Sequence, residues 1–360
     1  MPTSVYIHLP FCRRKCNYCT FASYSDLQLI DEYILALTSE ISQRYKCEKL
    51  KTLYIGGGTP SLLPERHLKK IISLFNYEKD AEITCEANPE NLSYDWLLQI
   101  FQSGINRLSL GVQSFDNKIL KLIGRKHTVK AAFEAIFNAR KAGFNNINID
   151  LIYGLPTQTM PDVSSSVITA CELGVEHISS YGLKIEDGSY FAKNMPKNLP
   201  DEDLQADMYL KLIEITKKYG YKHYEISNFA QTGHESKHNL TYWRGENYYG
   251  FGCASSGFEG NLRYSHSKTI PEYIKNPVLL TEKEFLTDEI MLEEAIFLGL
   301  RKSDGIDINQ INEKFSIDFE KKYAKILQKY EKYFRKTENG YAFSDEGFLI
   351  SNYILSDFIE

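Results

Sequence analysis

The sequence predicts an α/β protein. A partial (β/α)6 barrel comes first, then a small α/β extension, then a C-terminal winged-helix-like module. Three observations predict this. Short apolar runs alternate with amphipathic helical stretches six times before residue 185, the pattern of parallel strands with helical crossovers. Polar or glycine-rich signals sit at the C-terminal ends of those runs, and convergence of strand ends on one face is the barrel pattern. The segment 286–360 reads as helices followed by a short strand.

The strands are expected at 5–9, 53–58, 83–87, 107–113, 147–154 and 177–185. A helix is expected over 29–45, where Ile30, Tyr33, Ile34, Leu37 and Ile41 recur at helical spacing. Another is expected over 129–142, with Ala132, Phe133, Ile136 and Ala139 on one face and Gly143 where a C-cap falls. The stretch 162–173 follows Pro161, which suits a helix start. Residues 201–219 read as helical, and 221–260 are rich in aromatics and glycine. Helices follow over 289–300, 308–314 and 318–333, with a strand at 340–343. The expected division is 1–200 for the barrel, 201–285 for a connecting region and 286–360 for the last module. No internal repeat or low-complexity tract is present.

The chain has 360 residues, 42 Lys and Arg against 47 Asp and Glu, a net charge of −5, and 43% hydrophobic and 25% charged residues. That is ordinary globular usage, and it excludes a disordered chain, a collagenous repeat or a disulfide miniprotein. The mildly acidic balance gives no support to nucleic-acid binding. Residues 281–360 carry 11 basic and 17 acidic side chains, so the last module is expected to pack or contact protein rather than read DNA. No apolar run is long enough to span a bilayer, and MPTSVYIHLPFC does not read as a secretory signal. The expected compartment is the cytoplasm.

Seven cysteines are present, an odd number in a long chain, which argues against a disulfide framework. Three of them, Cys12, Cys16 and Cys19, fall in HLPFCRRKCNYCTF just after the first strand. Thiolates suit zinc, copper(I) or iron–sulfur clusters. A structural zinc normally takes four protein ligands, and no second pair stands nearby at zinc-site spacing. Three thiolates on one loop could instead hold three irons of a cubane and leave the fourth open. Arg13, Arg14 and Lys15 would offset its negative charge.

The cysteine loop resembles the signature of radical S-adenosylmethionine (SAM) proteins. The chain resembles one branch, that of oxygen-independent coproporphyrinogen III oxidase and its haem-chaperone relatives. The resemblance rests on ordered motifs along nearly the whole chain: YIHLPFC, GGGTP (56–60), EANPE (86–90), INRLSLGVQSF (105–115), IGRKH (123–127), DLIYGLPTQT (150–159), YEISNFA (224–230) and HNLTYW (238–243). It implies a radical SAM barrel with a 4Fe–4S cluster on Cys12, Cys16 and Cys19. It further implies SAM held by Tyr6, Tyr18, Gly57, Gly58, Thr59, Glu86, Gln113, Arg125 and Asp150. The glycines would allow close backbone approach to the ligand. Glu86 would accept from ribose hydroxyls, and Arg125 would pair with the SAM carboxylate.

His238, Asn239, Tyr242 and Trp243 form the HNxxYW motif, which the resemblance associates with haem handling. Imidazole is a good ligand for haem iron, and aromatic rings pack on a porphyrin face. Two features favour the chaperone over the oxidase. The oxidase's fourth cysteine is replaced by Phe21, and its N-terminal segment ahead of the cysteine loop is missing. One feature departs from the chaperones, with Ser256 standing where a histidine is expected. Cys253 is a candidate soft substitute. The expectation is a haem chaperone that delivers haem to apoproteins of the respiratory chain and allows peripheral membrane association. The rival is the oxidative decarboxylation of coproporphyrinogen III.

Overall fold

The structure, a computed structural model, describes residues 1–359. Six parallel strands follow one another in space as they do in sequence: β1 (Ser4–Leu9), β2 (Lys49–Gly57), β3 (Asn76–Ala87), β4 (Arg107–Gln113), β5 (Ile147–Tyr153) and β6 (His177–Gly182). The crossovers are α1 (Ile30–Arg44), α2 (Glu65–Ile72), α3 (Tyr94–Gln102), α4 (Asn117–Leu122) with α5 (Val129–Ala142), and α6 (Met160–Glu172). This is the expected partial barrel. All six inner strands are largely buried, which is why they read as short apolar runs.

Residues beyond 182 extend the same sheet. After α7 (Tyr190–Lys193) and α8 (Glu202–Lys218), a hairpin of β7 (Lys222–Glu225) and β8 (Asn228–Ala230) adds to the β6 edge antiparallel. Helix α9 (Lys237–Trp243) follows, and then β9 (Tyr249–Phe251) pairs parallel with β1 at the other edge. The expected α/β extension therefore joins the barrel sheet at both edges, giving nine strands. Beside it, β10 (Ser256–Glu259), β11 (Leu262–His266) and β12 (Leu280–Phe285) form an antiparallel sheet, with α10 (Ile270–Lys275) between the last two.

The C-terminal elements are α11 (Asp288–Gly299), β13 (Ile306–Asp307), α12 (Ile308–Phe315), α13 (Phe319–Lys322), α14 (Ala324–Lys329), β14 (Phe334–Lys336), β15 (Gly340–Phe343), α15 (Asp345–Leu349) and α16 (Ser351–Ser356). Helix, strand, helices and hairpin, with sheet order β13-β15-β14, make the winged-helix arrangement. The single helix expected over 318–333 is broken at Tyr323. There the backbone leaves helical geometry (ψ 17), and the ring packs 5.0 Å from both Phe319 and Phe358.

Local chemistry sets several boundaries. The Thr128 hydroxyl accepts from Ala131 N–H at the start of α5. Thr159 and Asp162 form a capping box on α6. Gly143 ends α5 in the left-handed region (φ 112). A β-carbon at Gly143 would also meet the Phe101 ring at 2.7 Å, whereas one at Gly174 (φ 65) would meet nothing. Gly174→Ala is therefore expected to cost about 1–2 kcal/mol, the left-handed strain alone. Gly143→Ala should cost measurably more in denaturant unfolding, and equal losses would show that Phe101 simply moves aside.

Candidate functional site

At the C-terminal ends of the strands lies a cavity of about 560 Å³. Its walls include Cys12, Cys16, Tyr18 and Cys19 from the loop after β1, Gly57, Gly58 and Thr59 after β2, and Glu86, Gln113, Arg125 and Asp150. Of the residues expected around a cluster and SAM, only Tyr6 is off the wall. Tyr6 hydrogen-bonds His8 Nδ1 at 3.0 Å and stacks under Tyr54, ring centres 6.1 Å apart. Strand alternation explains the convergence, because Ser109, Gly111 and Gln113 of β4 occupy every second position.

Gly57 and Gly58 are required by the protein's own packing as well as lining the cavity. Gly57 has φ +115, and a β-carbon there would lie 2.8 Å from the His8 ring. At Gly58 it would lie 2.5 Å from the Phe11 carbonyl, and at Gly56 3.0 Å from the Glu86 carboxylate. The close approach that requires glycine is to the protein's own chain. These contacts seat the GGGTP turn against the first strand and against Glu86.

Two half-buried carboxyl groups face the cavity. Glu86 accepts from Tyr54 Oη at 2.8 Å and from Gly57 N–H at 3.1 Å. Burial pushes its carboxyl up to about 7, and Asp150 nearby adds to the rise. Asp150 accepts from Asn148 Nδ2 at 2.7 Å and from Ser109 Oγ at 3.3 Å. Burial raises it as well. The arrangement favours a ligand that brings positive charge or several hydroxyl donors.

Arg125 braces the cysteine loop. Its Nη1 points at Cys16 Sγ, 3.6 Å away, and its Nη2 donates to Asn88 Oδ1 at 2.8 Å and to the Gly111 carbonyl. Burial works against its charge, but Tyr18, Cys16 and Glu90 outweigh burial and hold its pKa up. Its Nε is buried without a partner, so one donor is left for a ligand. Cys12 Sγ lies 3.2 Å from Thr59 Oγ1. Burial pushes the Cys12 and Cys19 thiols up, so ionisation needs an added positive group such as a metal. Among the described residues no three His, Cys, Asp or Glu converge to hold a single metal ion. A cubane needs no such convergence, since each thiolate takes its own iron. The donor set, the exposed Arg13, Arg14 and Lys15, and the unpaired Arg125 Nε fit a negatively charged cluster with SAM beside it.

Sequence reasoning missed Asn88. It links Arg125 to Thr59, donating to Thr59 Oγ1 at 3.1 Å, and its place inside EANPE was the available signal. Tyr54, Ser109 and Tyr181 were also missed, since on sequence each is one more strand residue.

The HNxxYW residues are not on this cavity. His238 is buried, with Nδ1 2.8 Å from Thr52 Oγ1 and Nε2 2.8 Å from Tyr242 Oη. Its ring stacks on Tyr54, centres 5.1 Å apart. Burial, with Arg107 adding, pushes its pKa down to about 3. Both ring nitrogens are occupied, so His238 reaches an iron only by giving up Thr52 or Tyr242. Here the motif braces Tyr54 and, through it, Glu86. Asn239 is half-buried at the start of the same helix, and Trp243 sits at its other end. Ser256 is exposed on β10 beside Ser265, and Cys253 is buried with its N–H on Tyr33 Oη.

Glu86 gives the site a pH dependence. Its raised pKa means the empty site is neutral at Glu86 below about 7. A sulfonium ligand binds the ionised form, so SAM affinity should fall about tenfold per pH unit below that value. Equilibrium dialysis against SAM should show this slope in the wild type and not in Glu86→Gln. In Tyr54→Phe the midpoint should move up, because the lost hydrogen bond favours the ionised form. A flat wild-type profile would remove Glu86 from the ligand's surroundings.

Comparison with known proteins supports one family. The Radical SAM superfamily model matches residues 6–167, and the HemN C-terminal domain model matches residues 286–350. The heme chaperone HemW of Lactococcus lactis subsp. lactis (strain IL1403) is 41% identical, across 99% of this chain and 97% of its own. The heme chaperone HemW of Bacillus subtilis (strain 168) is 37% identical, across 99% of each. Among solved structures, coproporphyrinogen III oxidase (HemN) of Escherichia coli shares the fold, with a TM-score of 0.87 over 99% of this chain and 90% of that one at 24% identity. With relatives this similar over the whole length of the chain, the protein belongs to the HemW family of radical SAM proteins.

Proposed function

We propose that the protein is a cytoplasmic haem chaperone that binds haem and delivers it to acceptor apoproteins, those of the respiratory chain among them. The observation that carries this reading is the 41% identity to a protein named heme chaperone HemW over 99% of the chain. Similarity of that extent takes in the barrel, the HNxxYW helix and the winged-helix module together. No helix among the described residues is long and apolar enough to cross a membrane, so delivery to a membrane-bound acceptor would use peripheral contact.

The cofactor half of the proposal rests on the 560 Å³ cavity. Cys12, Cys16 and Cys19 would hold a 4Fe–4S cluster with one iron open. Gly57, Gly58 and Thr59 would present backbone and hydroxyl groups to SAM, with Gln113 and Tyr18 also on the wall. Gln113 holds a left-handed backbone (φ 69) at the end of β4, a strained conformation of the kind that persists at ligand sites. Glu86 and Asp150 would receive the ribose hydroxyls and the positive charge, and Arg125 Nε would take the carboxylate. Together, cluster and SAM supply one-electron chemistry when bound. The residues of this chain orient SAM and keep water from it.

Coproporphyrinogen III oxidation is the rival, and a single assay separates the two. Anaerobically reconstituted protein is given SAM, reductant and coproporphyrinogen III, and the porphyrins are separated by chromatography. No protoporphyrin above background is expected, while haemin should bind at one per chain and pass to an apo-acceptor. Protoporphyrin formation that depends on Cys16 would overturn the chaperone reading. Cys16→Ala should also lose the 4Fe–4S absorption, and a full cluster in that variant would overturn the ligand assignment.

A further inference from the structure

A second cleft, of about 810 Å³, lies between the end of α9 and the winged-helix module. It shares no wall residue with the first cavity. Trp243 forms part of one side, and Ile311 and Phe315 of α12 form part of the other. Trp243 is held firmly. It hydrogen-bonds the buried Glu225 carboxyl, and the Arg301 guanidinium lies 5.9 Å from its ring centre. An aromatic wall fixed in this way is a preorganised platform for a flat ligand.

The wall carries four basic side chains, Arg244, Lys302, Lys314 and Arg335, and four acidic ones, Glu246, Asp304, Asp307 and Glu338, and most have local partners. Arg244 faces Glu246 at 3.8 Å, and Asp304 faces Lys222 at 3.8 Å. Asp307 caps α12 through Asn309 N–H at 2.9 Å and Gln310 N–H at 3.1 Å. Lys302 has no carboxylate within ion-pair distance among the described residues, although it is half-buried in the wall. Burial, with Arg244 adding, pushes its pKa down more than the nearby Asp304 and Glu246 carboxylates raise it, so its ammonium gains from an incoming anion. Lys314 and Arg335 stand on the same cleft, with Glu338 the remaining acid.

We propose that this cleft seats the haem cargo, with the tetrapyrrole plane against Trp243 and Phe315 and a propionate on Lys302. The proposal rests on the chaperone reading and gives that reading a place. The cleft's volume lies within the usual range for small-molecule sites. Its walls carry no His, Cys, Met or Tyr. Recognition is therefore through the ring and its carboxylates, and the cleft would supply no ligand to the iron among the described residues.

The test is titration of the reconstituted protein with haemin and with metal-free protoporphyrin IX, read by absorbance and equilibrium dialysis. The two should bind within about threefold of each other, and cluster-free Cys16→Ala should bind as the wild type does. Lys302→Glu and the cleft-filling Ala295→Phe should each weaken binding of both by about tenfold or more. Glu338→Gln removes the opposing acid and should tighten binding severalfold, an outcome that misfolding does not produce. If Lys302→Glu, Ala295→Phe and Glu338→Gln all bind haemin as the wild type does, the cargo sits elsewhere and this inference fails while the chaperone reading stands. Metal-free porphyrin binding more than about tenfold weaker than haemin would also overturn it. A wild type that binds neither overturns the chaperone reading itself.

Discussion

Two carboxyl groups held side by side in the barrel lumen are the constraint around which the rest of the structure is arranged. Glu86 and Asp150 both line the cavity half-buried; burial raises the pKa of each, and Asp150 raises that of Glu86 further. Such a pair persists only if nearby donors and positive charge offset the cost of burial. Tyr54 and Gly57 N–H serve Glu86, and Asn148 and Ser109 serve Asp150. Arg107, itself buried, favours the ionised form of both.

The donors are in turn fixed by helix α9. Asn148 Oδ1 lies 2.6 Å from His177 Nδ1, His177 Nε2 lies 2.8 Å from Tyr224 Oη, and Tyr224 Oη receives Ser236 N–H at the cap of α9. On the other side, His238 stacks on Tyr54. Glu82 receives the first N–H groups of the helix, from Lys237 and His238 at 3.1 Å each, as a carboxylate at a helix N-terminus should. An incomplete barrel lacks strands to fill its interior. Here one short helix supplies the side chains that hold both functional carboxyl groups in place.

Much of this was legible in the sequence where the signal is local. The apolar runs gave all six inner strands, and β4 and α5 have the bounds that periodicity assigns. The cysteine spacing and the polar strand ends marked the cavity, because parallel strands bring their C-terminal ends to one face. What was not legible depends on partners far apart in the chain. The hairpin of β7 and β8 is too short to stand out among aromatics. The polar start of β3, from Asn76, reads as loop. The resemblance names Tyr6 and His238 as candidate contacts, but a sequence does not show their partners in the fold. Only the fold shows that Tyr6 is held by His8, and His238 by Thr52 and Tyr242.

The separation of cavity and cleft bears on how a carrier can release what it carries. A protein that holds haem through a strong axial ligand must break that bond before the iron can be passed on, and among related complexes affinity differences appear mostly as slower release. The two sites share no wall, so SAM and cluster need not be disturbed for cargo to leave. In the proposed seat, an aromatic wall and the half-buried Lys302 would give affinity spread over the ring and its edge, so that an acceptor's ligand could take the iron first and draw the ring after it. The net acidity of the winged-helix module suits the same purpose. Lys302, Lys314 and Arg335 stand out locally against it on the cleft, while an acidic surrounding surface would not hold an anionic porphyrin at random.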